Sequence, residues 1–145
     1  MLPRLDFTDV VAPIYQKFLK ALKKSAFTGD ISCQYSSRLA VATDNSVYQQ
    51  LPQAVFHPHT VEDIKILTST AAQPAFAEIK FSARGGGTGT NGQSLTPGIV
   101  VDLSKYMKQI LEVNVEQKWV RVQAGVVKDQ LNEYLKPLGF FFSPD

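Results

Sequence analysis

The segment Arg84-Gly-Gly-Gly-Thr-Gly-Thr-Asn-Gly-Gln-Ser94 gathers five of the chain's nine glycines into eight residues. Glycine reaches positive φ without a Cβ penalty and lets the backbone come close to a ligand. Successive N–H groups in such a stretch can face one concavity and hold an anion such as a pyrophosphate. Thr88, Thr90, Asn91 and Ser94 add side-chain donors, and Arg84 can bring a positive charge to the rim. Gly87, Gly89 and Gly92 also satisfy G-x-G-x-x-G, the dinucleotide fingerprint. That fingerprint needs a helix opening directly onto the phosphates. Here the loop runs through Pro97 and Gly98 into the apolar run Ile99-Val100-Val101, with no amphipathic helix between. A Walker loop is excluded, because no Lys precedes a Ser or Thr after the glycines. The reading is a backbone nest without a helix dipole. The competing reading, a mobile glycine linker, suits a position between two buried strands poorly.

Other residues invite chemistry less strongly. His57 and His59 flank Pro58 and share a face of an extended segment, yet no carboxylate or Cys partner for a shared metal is evident nearby in sequence. Half-buried structural histidines are the default, and no metal site is expected. Cys33 lies in a polar stretch with nothing to activate it. Trp119 alternates with Val120, which reads as core or interface packing. Lys20, Lys23 and Lys24 close a helix, where cations suit the dipole.

The elements that must carry the loop follow from periodicity. Val11, Ile14, Tyr15, Phe18, Leu19 and Leu22 predict a helix over about 9–24, with Pro13 in its first turn and Gly29 beyond its end. Residues 33–51 are polar and mixed, with a turn signal at Asp44-Asn45-Ser46. Ala54-Val55-Phe56, between prolines, reads as a short buried strand. Thr60 and Asp63 form a capping box for a helix that ends by Pro74. Ile79, Phe81 and Ala83 alternate with polar residues, and 99–103 is another buried strand. Strand, helix, strand in that order predicts a parallel βαβ unit. Segments 110–115 and 119–124 alternate around Glu116-Gln117-Lys118 as a hairpin, and 127–135 reads as a helix stopped by Gly139. The fold class expected is α+β, parallel before the glycine loop and antiparallel after it.

Composition bounds the rest. At 145 residues, 44% hydrophobic and 19% charged, the chain has globular character. Fifteen basic against thirteen acidic residues leave +2, scattered along the chain, so no nucleic-acid partner is expected. One cysteine precludes an internal disulfide and a Cys-based cluster within these residues. Met1–Asp9 lacks the apolar core of a signal peptide, and no apolar run approaches the ~20 residues of a membrane span, so a cytoplasmic location is expected. Phe140-Phe141-Phe142 near the end asks for partners to bury against, which reads as the N-terminal piece of a longer protein.

Arg84-Gly-Gly-Gly-Thr-Gly89 resembles the pyrophosphate loop of FAD-linked oxidases of the vanillyl-alcohol oxidase and p-cresol methylhydroxylase type. Asp44-Asn-Ser46, Tyr48, Pro52, Val55, Pro58, Thr60 and Asp63 are similar to that family's lead-in, and Ile99-Val-Val-Asp-Leu103 and Val122-Gln-Ala-Gly125 to the strands that follow. The wording, including Tyr134-Leu-Lys-Pro-Leu-Gly139, is nearest to large bacterial FAD and iron–sulfur enzymes of the D-2-hydroxyglutarate dehydrogenase kind. The resemblance implies an FAD-binding type-2 fold: a small parallel βαβ subdomain, then the start of an antiparallel-sheet subdomain. It divides the chain into a helical lead-in, 1–37, and the N-terminal part of an FAD-binding domain, 38–145.

By the same resemblance the cofactor is FAD, contacted by Pro52, Arg84, Gly85, Gly86, Gly87, Thr88, Gly89, Thr90, Asn91, Gly92, Gln93, Ser94 and Pro144. Some relatives attach FAD covalently to a His in this loop; Thr88 stands in its place, which implies non-covalent binding. The implied reaction is oxidation of a D-2-hydroxy acid, 2-hydroxyglutarate- or lactate-like, by hydride transfer to flavin. Electrons then leave for an acceptor through an iron–sulfur cluster beyond Asp145. No residue of this chain takes a catalytic role in that scheme. Two other functions fit the loop without the family: a non-catalytic phosphate- or anion-binding module, and a βαβ interaction domain.

Overall fold

The computed structural model describes residues 10–143. Four strands form one sheet in the order β1-β2-β4-β3: Asp30–Ser32, Ala54–His57, Ile99–Asp102 and Phe81–Arg84. β2 and β3 both run parallel to β4, which lies between them. The sequence therefore places the parallel strands correctly but not their neighbours, because β4 inserts into the expected βαβ pair. β1 pairs antiparallel with β2 at the edge, an element the polar sequence around it did not announce.

The two central strands explain themselves. Ala54, Val55, Phe56, Ile99, Val100 and Val101 are all buried, as continuous apolar runs are in a sheet covered on both faces. Period two sorts them. Ala54, Phe56, Ile99 and Val101 join the main core, while Val55 and Val100 meet Val41 on the other face.

Helix α1, Pro13–Lys23, closes the main face with Tyr15, Phe18, Leu19 and Leu22. The helix starts at its proline, where fixed φ suits the first turn, and not at residue 9 as predicted. The Phe18 ring lies edge-on to Phe76 at 5.2 Å and to Phe81 at 5.8 Å. Full burial of such a ring is worth roughly 2–3 kcal/mol. The short helix α2, Tyr35–Ala40, falls in the stretch read as irregular, since its six residues show no apolar stripe.

Helix α3, Val61–Ala71, links β2 to β3 and begins as expected. The Asp63 N–H donates to Thr60 Oγ1 at 3.1 Å, and Asp63 Oδ2 accepts from the N–H of Thr60 at 3.0 Å. The carboxylate does more than cap. It also accepts from the N–H of His59 at 2.9 Å and of Thr28 at 2.7 Å, so it ties the chain after α1 to the start of α3. Burial raises the Asp63 carboxyl pKa, but these N–H donors outweigh it and hold the group below its ordinary range.

The remaining elements form a second unit. Strands β5, Ile110–Asn114, and β6, Trp119–Val122, make the expected antiparallel hairpin, and helix α4, Lys128–Leu135, follows. Asn132 fixes the segment beyond α4, its Oδ1 accepting from the N–H of Phe142 at 2.6 Å. Phe141 and Phe142 stay 76% and 48% exposed. Among the described residues no helix is long and apolar enough to cross a membrane.

Candidate functional site

The glycine loop is the irregular crossover between two parallel neighbours. It leaves β3 at Arg84 and enters β4 at Ile99, so it crosses from the carboxyl edge of the parallel strands to their amino edge. Backbone bonds fix both ends: Leu103 N–H to the Arg84 carbonyl at 2.9 Å, and Gln53 N–H to the Gly98 carbonyl at 2.6 Å. A loop clamped this way is not a free linker.

Between the clamps, two glycines adopt conformations that L side chains rarely take: Gly87 at φ 68° and Gly92 at φ 73°. A Cβ on Gly87 would meet the Arg84 guanidinium, and one on Gly92 would come within 3.1 Å of the Tyr48 ring. Gly85 and Gly86 differ. A Cβ on Gly85 would find nothing within 4 Å, and one on Gly86 only Thr88 Cγ2 at 3.6 Å. Among the described residues, the N–H groups of Gly85 to Thr90 donate to no protein acceptor. The result is an open lip of unpaired amides, chemically suited to an anion.

The side chains expected at the site divide into two sets. Thr88, Thr90 and Asn91 are exposed beside the lip. Arg84, Gln93 and Ser94 instead bond within the protein, although of the three only Ser94 is buried. Arg84 Nη1 donates to the Thr43 carbonyl at 3.0 Å and to Ser94 Oγ at 3.3 Å, so its charge does not stand free at the rim. Gln93 folds against Gly89, and its Oε1 accepts from the Asn91 N–H at 3.1 Å. Ser94 is buried and donates to Asp44 Oδ2 at 3.2 Å. Pro52 is buried at the start of β2, where its carbonyl accepts from Arg38 Nε at 2.6 Å. Pro144 lies outside the described residues.

The sequence did not single out the 43–48 turn as part of this site. Asp44 Oδ1 accepts from the Ser46 N–H at 2.8 Å, and the Asn45 N–H donates to the Gly89 carbonyl at 3.1 Å. Hydrogen bonds from Ser46, with smaller help from Ser94 and the Arg84 charge, hold the Asp44 carboxyl below its ordinary range against the cost of burial. The Asp-Asn-Ser signal marked a turn but could not say what the turn touches.

The histidines gain carboxylate neighbours that sequence proximity concealed. His57 Nδ1 lies 3.8 Å from Asp102 Oδ2, and His59 Nε2 lies 3.5 Å from Asp30 Oδ1. Burial lowers the His57 pKa, which Asp102 only partly offsets. Among the described residues no three metal-ligating side chains gather into a site. Burial also raises the Cys33 thiol pKa, so the thiol is not activated.

The architecture has close structural parallels. An alkyldihydroxyacetonephosphate synthase matches 95% of the chain at TM-score 0.73 and 17% identity, over 27% of its own length. A p-cresol methylhydroxylase matches 89% at TM-score 0.64 and 15% identity, over 26% of its own length. These likenesses define the class by fold alone: an α+β arrangement that makes up about a quarter of each of those larger chains. Residues 52–145 match the FAD binding domain family, and the chain belongs to it. FAD is the cofactor of that family. The chain is 52% identical to a D-2-hydroxyglutarate dehydrogenase of Pantoea ananatis over 145 residues, all of this chain and 14% of that protein. It is 57% identical to one of Pseudomonas putida over 139 residues, 94% of this chain and again 14% of the relative.

Proposed function

We propose that these residues supply the pyrophosphate cradle of an FAD-dependent D-2-hydroxyacid dehydrogenase, acting on a 2-hydroxyglutarate- or lactate-like acid. The observation that carries the cradle is the lip of unpaired amides from Gly85 to Thr90, with open space over Gly85 and Gly86. The substrate class rests on relatives that match essentially the whole chain at 52% and 57% identity.

FAD, when bound, supplies the hydride acceptor for C2 of the acid. The chain's own part is to hold charge and position. The amides of Gly85 to Thr90 offer donors to the diphosphate oxygens, and Thr88, Thr90 and Asn91 stand where their side chains can add to them. Thr88 has no ring nitrogen to alkylate, which supports non-covalent binding. The 1–37 lead-in precedes the FAD-binding segment 38–145 and contributes α1, which packs on the sheet, and the edge strand β1. The acceptor side, including any iron–sulfur relay, is assigned to the protein beyond residue 145.

Gly86→Val in the full-length protein tests the cradle. A Cβ at Gly86 makes only an ordinary contact with Thr88 Cγ2 at 3.6 Å, and the backbone there is not in the left-handed region. The fold therefore persists while the lip fills. The expected result is an unchanged melting midpoint for flavin-free protein and loss of FAD from the purified enzyme. Full FAD occupancy with a normal flavin spectrum would refute the assignment.

A further inference from the structure

The side chains that bond within the protein carry a second assignment. We propose that Asp44, Arg84 and Ser94 are positioning residues: a polar brace that sets the height and angle of the amide lip, with Arg84 acting through the brace and not as a phosphate ligand. The assignment rests on the cradle reading for its purpose, but its contacts stand by themselves.

Three observations support it. First, the guanidinium is already engaged. Arg84 Nη1 bonds the Thr43 carbonyl and Ser94 Oγ, and the guanidinium fills the space where a Cβ on Gly87 would stand. Both N–H groups of Nη1 are spent on these two protein acceptors. Second, the chain of contacts is continuous. Arg84 bonds Ser94, Ser94 bonds Asp44, and the residue after Asp44 bonds Gly89 through its N–H. Gly87 and Gly89, on either side of Thr88, are thus held from one turn about forty residues earlier in the sequence. Third, the brace is sheltered where it matters. Ser94 is 6% exposed, while the loop residues Gly85, Gly86, Thr88 and Thr90 are exposed. A loop with five glycines has little intrinsic preference for one shape. Without outside contacts it would lose conformational freedom on binding and weaken affinity accordingly.

The test uses full-length protein stripped of flavin, with Asp44→Ala, Asp44→Asn, Ser94→Ala, Arg84→Ala and the Arg84→Ala/Ser94→Ala pair. FAD affinity is measured across a salt series, and amide hydrogen exchange is followed at Asn45 and Leu95, whose N–H groups bond the loop carbonyls of Gly89 and Gly92. Asp44→Ala, Ser94→Ala and Arg84→Ala should each weaken FAD about tenfold, and the pair should cost clearly less than the product of its members, as coupled neighbours do. Asp44→Asn keeps an oxygen acceptor and should restore most of the affinity. Exchange at Asn45 and Leu95 should quicken without FAD present, a change that loss of a phosphate contact would not produce. The salt dependence of binding should stay that of wild type in Arg84→Ala.

Independent effects in the pair, or a flattened salt dependence in Arg84→Ala, would overturn the brace and make Arg84 a phosphate ligand. Unchanged FAD affinity and unchanged exchange in Asp44→Ala and Ser94→Ala would also overturn it. Failure of the cradle itself reads differently: Gly86→Val would keep its flavin whatever the brace variants do.

Discussion

Two places in this molecule collect backbone N–H groups, and they differ in whether the chain itself supplies the acceptor. At the start of α3 the anion is built in. The Asp63 carboxylate accepts from the N–H groups of Thr28, His59 and Thr60 and is 1% exposed. In the glycine loop the amides of Gly85 to Thr90 have no such partner among the described residues, and the residues that carry them are exposed or half-buried. A buried donor without an acceptor costs about 1–3 kcal/mol, so the first array must be satisfied internally. Exposed donors are satisfied by water until a ligand displaces it, so the second can remain ready. The same backbone chemistry thus serves as a rivet in one place and, on the proposed reading, as a receptor in the other.

Removing the rivet should have the largest effect. Asp63→Ala strips three N–H groups and the Thr28 hydroxyl of their acceptor and should cost roughly 3–5 kcal/mol in thermal or denaturant unfolding. Any flavin lost should be lost only in proportion to protein unfolded. A melting midpoint within a degree of wild type would remove the distinction between the two arrays.

Gly87→Val sharpens the comparison within the loop. It forces a branched side chain into φ 68° and against the Arg84 guanidinium, so it should lose both stability and FAD. Gly86→Val, over open space, should lose FAD alone. Equal melting midpoints in the two variants would show that the protein side of Gly87 is not tightly packed.

The acid response isolates the built-in charge. The Asp63 pKa is depressed in the folded state, so its stabilisation is complete above the ordinary carboxylate pKa of about 4 and is lost as pH falls through the lower native value. Asp63→Asn should therefore flatten the acid limb of the stability profile below about pH 4 relative to wild type, as equilibrium unfolding against pH would show. A parallel acid limb would mean that the carboxylate is not the group responsible.

Thr88→Ala should be mildest. One neutral hydrogen bond is worth about 0.5–1.5 kcal/mol, tenfold in affinity at most, with no change in melting. A hundredfold loss would make that hydroxyl a main anchor instead of an accessory to the amides.

Legibility in the sequence followed the range of the interactions. Short-range chemistry was readable. The Thr60–Asp63 box, the buried runs at 54–56 and 99–101, the hairpin around 116–118 and the glycine cluster all rest on neighbours within a few residues. Long-range placement was not. β4 slips between β2 and β3, a choice made by sheet pairing that periodicity does not encode. β1 and α2 are too short to show a pattern. The sequence could not show that Arg84 Nη1 bonds the Thr43 carbonyl and Ser94. The same holds for Asp102 beside His57 and Asp30 beside His59, which are distant in sequence and adjacent only in the fold.

Hydrogen exchange at both amide arrays, with and without FAD on the full-length protein, tests the central claim directly. The account predicts slow exchange at Thr28 and Thr60 in both states, and fast exchange at Gly85 to Thr90 that becomes protected at least about tenfold when FAD binds. Loop amides that stay fast with FAD bound, or that are already protected without it, would contradict it.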